Sequence, residues 1–170
     1  MNTQLAFPGL EPKLVQPFRF PPTPYEYKVT ALRECPMPTD LCDTDGLAAD
    51  YWRRHVPTHP HFNPEVECLV AIIVNARRRV KGHYLIGIGI QDSVMVHPRE
   101  VFRLAICVAA HSIILTHNHP GGDPTPSESD IRVNRDMIRA GRLLKIDILD
   151  HIVIGAQTHA SMRSLGYCEV

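Results

Sequence analysis

The chain has 170 residues, a length that suits one domain with at most a tail. Eighteen Lys+Arg balance eighteen Asp+Glu, so the formal charge is zero and the overall electrostatic footprint of a dedicated duplex-DNA binder is missing. Composition is that of a globular protein, with 44% hydrophobic and 21% charged residues, and no apolar run approaches the ~18 residues of a membrane span.

The opening Met-Asn-Thr-Gln-Leu has neither a basic stretch nor an apolar one, so no secretory signal is expected. Five cysteines (Cys35, Cys42, Cys68, Cys107, Cys168) form no CxxC pair, which points to free thiols in a reducing cytoplasm. Eleven of the 15 prolines fall at or before Pro64. Residues 1–39 therefore read as an extended arm, with Phe7, Phe18, Phe20, Tyr25 and Tyr27 interleaved among the prolines. Such an arm either straps its own domain, takes no fixed structure, or docks on a second copy to give a homo-oligomer.

Residues 40–64 hold a short helix over 45–55, where Leu47, Ala48, Tyr51, Trp52 and His55 recur at helical spacing, and then a loop. Prolines separate His55, His59 and His61 in that loop and argue against a preset site. The domain proper is expected over 65–170. Residues 67–74 read as a buried strand and 80–90 as its hairpin partner, with the basic run 77–81 as a solvated turn. Pro98 opens a helix reaching about residue 111, with His111 complementing its C-terminal dipole. A third strand spans 112–116, a helix 126–142, a fourth strand 146–154, and a short last strand 160–162. Asp150 and His151 alternate on the fourth strand, so one of them is expected to face solvent. This order gives an α/β layer fold, a mixed sheet with helices packed on it.

The chemistry is concentrated in His117-Asn118-His119-Pro120-Gly121-Gly122-Asp123-Pro124-Thr125-Pro126-Ser127, followed by Asp130. His117 and His119 lie two apart at a strand end, so both imidazoles point to one side. Thr125 is a candidate N-cap, with Pro126 first in the helix and Glu128 closing a capping box. That leaves Ser127 and Asp130 on one face of the first turn, able to look back at the histidines. The plain alternative makes Ser127 and Asp130 themselves the cap and its partner. Two histidines and a carboxylate are a usual ligand set for catalytic zinc, whose bound water has a pKa near 7.

His117-x-His119-Pro120, six residues, then Ser127-x-x-Asp130 resembles the JAMM (MPN+/JAB) metallopeptidase motif, and the wording of the loop is similar to its RadC branch. The resemblance runs over about residues 67–167, including Pro98-Arg99-Glu100 and Asp150-His151. It implies an MPN/JAB fold, similar to that of cytidine deaminases, and Zn²⁺ held by His117, His119 and Asp130. It further implies Ser127 as a hydrogen-bond donor to the oxyanion and a glutamate at the head of an earlier strand as general acid/base. Strand periodicity cannot separate Glu65 from Glu67, whereas the family's pattern falls on Glu67. The implied activity is hydrolysis of a peptide or isopeptide bond. Two alternatives stay open: a DNA-repair or mobile-element accessory protein with a structural metal, following the label long carried by RadC proteins, and hydrolysis of a non-peptide substrate. Direct DNA binding is not expected from the overall charge, with the local patch Arg77-Arg78-Arg79-Val80-Lys81 left open as a phosphate contact, and residues 1–39 are too rich in proline for the helix-hairpin-helix region of full-length RadC proteins.

Overall fold

The computed structural model describes residues 40–89 and 96–168. The proline-rich segment 1–39, with the oligomerising arm expected there, lies outside the described residues, as does the far end of the second expected strand. The elements run α1 (Asp45–His55), β1 (Cys68–Val74), β2 (Val80–Ile88), α2 (Pro98–Cys107), β3 (Ser112–Asn118), α3 (Glu128–Leu144), β4 (Asp147–Ile154) and β5 (His159–Ser161), with one 3₁₀ turn at Val56–Thr58. The sheet order is β2-β1-β3-β4-β5. Strand β1 is antiparallel to β2 and β3, β5 is antiparallel to β4, and β3 and β4 are parallel, joined through α3. The result is the α/β mixed-sheet fold that the JAB resemblance implies.

Alternation along β1 builds two cores. Val70, Ile72 and Val74 pack with Ala48, Ala49, Tyr51 and Trp52 of α1. Ala71 and Ile73 face the other way, toward Val101, Phe102 and Ala105 of α2 and Met137 of α3. Because both sheet faces are covered, all seven residues of β1 and all seven of β3 are buried. Such strands read as continuous apolar runs rather than as alternation.

The same cover corrects the expectation for β4. Neither Asp150 nor His151 faces solvent; their exposures are 8% and 1%. Asp150 accepts hydrogen bonds from Ser161 Oγ (2.6 Å) and from the backbone N–H of His151 (2.7 Å) and Arg163 (3.0 Å), so the turn after β5 roofs it. Burial pushes its carboxyl above the ordinary value despite these three donors.

Helix α2 also ends earlier than expected. Ala109 adopts a left-handed φ of 48° and Ala110 N–H donates to Ala105 O, which closes the helix after Cys107. His111 therefore lies beyond the helix, beside Ser112 Oγ at 3.3 Å, and is no partner of its dipole. The basic run 77–81 is committed to the hairpin. Asn75 Oδ1 accepts from Arg77 and Arg79 N–H, and Lys81 Nζ donates to Val108 O at 2.7 Å.

Candidate metal centre

Strand β3 runs two residues further than its apolar stretch suggests and carries His117 inside it. His119 follows directly, and period-2 geometry brings its ring beside that of His117, with the two Nε2 atoms 3.0 Å apart. Asp130, in the first turn of α3, places Oδ1 3.5 Å from His117 Nε2 and Oδ2 3.5 Å from His119 Nε2. Ligand atoms of these three residues lie within 4.8 Å of one another, the one His/Cys/Asp/Glu group among the described residues that could hold a metal. His55, His59 and His61 form no such group; His55 instead lies 3.4 Å from Asp40.

The donor set fits a metal in a second respect. Each imidazole is held from behind through its other nitrogen: His119 Nδ1 by the Asp123 carbonyl at 2.8 Å, and His117 Nδ1 by His151 Nε2 at 2.8 Å. Both Nε2 atoms thereby point into the space Asp130 also faces, an arrangement usual for metal-ligating histidines.

Glu67 lies one residue before β1 and is 7% exposed, whereas Glu65 is exposed. Glu67 Oε1 stands 3.9 Å from His119 Nε2. Of the two carboxylates that periodicity leaves open, Glu67 is the one that lies beside His119. Asn118, between the two histidines, brackets it. Its Oδ1 accepts from Cys68 N–H (2.9 Å) and its Nδ2 donates to Val66 O (2.9 Å), one bond on each side of Glu67.

The start of α3 differs from the expected one. Ser127, not Thr125, is the N-cap, and the capping box is Ser127 with Asp130 rather than Thr125 with Glu128. Ser127 Oγ accepts from Asp130 N–H (3.2 Å), while Asp130 Oδ2 accepts from Ser127 N–H (2.8 Å) and Ser127 Oγ (2.6 Å). Thr125 is held instead by Asp123, whose Oδ1 accepts from both its N–H and its hydroxyl. Asp123 therefore fixes the turn.

The turn following β4 carries the loop. His119 N–H donates to Ile154 O (2.9 Å) and Ala156 N–H to Gly122 O (3.0 Å). Gly122 has a φ of 84°, and a Cβ on Gly155 would fall 2.4 Å from Gly122 O. Asn118 and Gly155 are contributors that sequence reasoning missed, and His151, which it named, stands inside the site instead of at the surface. Gly155 had one signal in the sequence, as a glycine ending an apolar strand.

Charge is organised accordingly. Burial would raise the Asp130 carboxyl, but hydrogen bonds from His117, His119 and Ser127 outweigh it and hold the group far below the usual carboxylate range. Asp130 in turn raises His119, against the opposing effect of burial. His151 is lowered well below the ordinary histidine value, chiefly by its burial.

Comparison with known proteins agrees with this geometry. The chain is 46% identical over 100 residues to a UPF0758 protein of Desulforamulus reducens, covering 59% of this chain and 44% of that protein. It is 43% identical over 127 residues to a UPF0758 protein of Symbiobacterium thermophilum (75% and 52% covered), and 39% identical over 120 residues to one of Methanococcoides burtonii (71% and 52%). The chain spans about half the length of the curated relatives it matches. Residues 46–167, which include every side chain of the cluster, match the RadC-like JAB domain, and the chain belongs to that family.

Proposed function

We propose that this domain is a zinc-dependent hydrolase of the JAMM type acting on a peptide or isopeptide bond. The observation that carries the reading is the convergence of His117, His119 and Asp130 with Glu67 Oε1 3.9 Å from His119 Nε2. A zinc ion held by the first three supplies Lewis acidity and makes water acidic enough to ionise near neutral pH.

The remaining roles belong to the chain. Glu67 is the general acid/base: it takes the proton of the attacking water on its carboxylate and returns it to the leaving amine nitrogen, a contribution of roughly 10²–10⁴ in rate. Ser127 swings its hydroxyl from Asp130 to the carbonyl oxygen of the scissile bond as negative charge develops there. Asp130 remains ionised throughout, consistent with its strongly lowered carboxyl. The bond class comes from the family resemblance, since such a site activates water without choosing the acyl group.

The test is metal analysis of the purified protein with His119→Ala and Glu67→Gln variants, read together with turnover of peptide and isopeptide-linked reporters. His119→Ala loses zinc. Glu67→Gln keeps zinc and loses about 10²–10⁴ of the turnover. A wild type that binds no zinc, or a Glu67→Gln variant as active as wild type, refutes the reading. The accessory-protein alternative makes the contrary prediction: Glu67→Gln keeps every biological effect, and a salt-dependent gel shift appears with duplex or single-stranded DNA.

A further inference from the structure

We propose that His151 is a positioning residue of the metal centre, a neutral imidazole whose Nε2 accepts the Nδ1 proton of His117 and so keeps His117 Nε2 free to coordinate. The inference rests on the zinc reading above and concerns a residue outside the ligand set and the general acid/base.

The geometry leaves little choice of proton placement. A neutral imidazole carries one proton, and a His117 that binds metal through Nε2 must carry it on Nδ1. That Nδ1 lies 2.8 Å from His151 Nε2. His117 is 2% exposed and His151 1%, so bulk water does not offer a substitute acceptor. His151 Nε2 must then be bare, and its own proton sits on Nδ1. The reverse arrangement, with His151 Nε2 donating, would put the His117 proton on Nε2, against His119 Nε2 at 3.0 Å and in the place of the metal.

A second observation argues that position 151 serves the site rather than the core. His151 Nδ1 is buried and has no hydrogen-bond partner among the described residues. A buried donor left in that state carries a desolvation cost that an aliphatic side chain would avoid. Its neighbours Ile152, Val153 and Ile154 show that β4 accommodates aliphatics readily. Retaining an imidazole here makes physical sense if its other nitrogen is needed by His117.

The kind of acceptor also matters. His119 is backed by a carbonyl oxygen and His117 by an imidazole, both uncharged. Negative charge at the centre is therefore left to Asp130 and Glu67. A carboxylate behind His117 would increase its basicity and counteract the acidification of bound water.

The experiment is zinc competition titration of the full chain against a chromophoric chelator, for wild type, His151→Leu and His151→Gln. Leucine removes the acceptor, and the expected loss of zinc affinity is about 10–100-fold. Glutamine offers its Oε1 as acceptor and is expected to restore most of that loss. Zinc binding by His151→Leu as tight as wild type overturns the proposal. So does an equal loss in both variants, which would mark a packing role. Independently of any variant, ¹⁵N-histidine spectra of the zinc-loaded wild type should show His151 neutral with its proton on Nδ1; a proton on Nε2 overturns the proposal. If the wild type binds no zinc, the hydrolase reading falls with this one. If it binds zinc and His151→Leu binds equally well, this one falls alone.

Discussion

Replacing Gly155 by alanine tests how tightly the turn after β4 governs the metal loop. The added Cβ would lie 2.4 Å from Gly122 O and 2.9 Å from Pro124 Cδ. Carbon–oxygen contacts settle near 3.3 Å, so the Gly122 carbonyl must retreat by about 1 Å. It cannot do so alone, because Ala156 N–H donates to it and Gly122 N–H donates to His119 O. The displacement reaches Asp123, whose carbonyl orients the His119 ring. Overpacking of this kind costs about 1–3 kcal/mol of stability, and an ångström of misplacement costs about 10² in turnover. Gly121→Ala is the internal control: nothing lies within 4 Å of its added carbon, and a surface change of that sort stays within about ±0.5 kcal/mol. Urea unfolding of the metal-free proteins and zinc titration of both variants give the answer. If Gly155→Ala matches Gly121→Ala in both measurements, the turn does not hold the loop and the reasoning is wrong.

Asn118→Ala leaves Cys68 N–H and Val66 O without their partner, at roughly 1–3 kcal/mol for each group left unsatisfied; urea midpoints should fall, and turnover should fall further than zinc affinity because Glu67 loses its bracket. Ser127→Ala removes the α3 cap and should cost about 0.5–2 kcal/mol in the same assay, with Ser127→Thr close to wild type. In the metal-free protein the lowered Asp130 contributes stability that is complete above its unfolded pKa of about 4 and lost as pH falls, whereas the raised His119 contributes stability that is complete below about 6.5 and lost as pH rises through its folded value. Their joint contribution to the urea midpoint is therefore greatest between about pH 4 and 6.5, and zinc affinity should rise with pH as His119 Nε2 gives up its proton. Alkylation followed by mass spectrometry should label exposed Cys107 before buried Cys42, whose thiol burial pushes up to about 11, and a faster Cys42 would contradict the packing of α1.

The sequence was informative where one residue type admits one use. The 3.6-residue pattern of α1, the apolar run of β1 and the period-2 pair His117 and His119 all appear where expected, because each depends only on neighbours in the chain. The error at β4 has its cause in long-range cover. One of Asp150 and His151 was expected to face solvent, but both sides of β4 are covered, which no local pattern reveals. Asn118 carries no signal in the sequence, since its two hydrogen bonds go to residues about 50 positions away. Gly155 is needed because of Gly122 O, a contact set by the path of another loop. Helix α2 stops short at Ala109 through backbone geometry that its amino-acid type does not announce.

The start of α3 is the more instructive disagreement. Ser127 and Asp130 offered two readings, a capping box or a catalytic pair, and these seemed to compete. In the folded chain they are one structure. Asp130 Oδ2 closes the cap with Ser127 and also lies 3.5 Å from His119 Nε2, while Oδ1 lies 3.5 Å from His117 Nε2. The cap's hydrogen bonds hold the Asp130 carboxylate in place, so on the proposed metal reading its ordering entropy is met when the helix forms. A carboxylate at N3 is also favourably placed against the helix dipole, which helps to keep it ionised beside two imidazoles. The same two residues therefore begin the helix and preorganise the centre, and a helix start shifted two residues earlier, to Thr125, would have left Asp130 free to rotate.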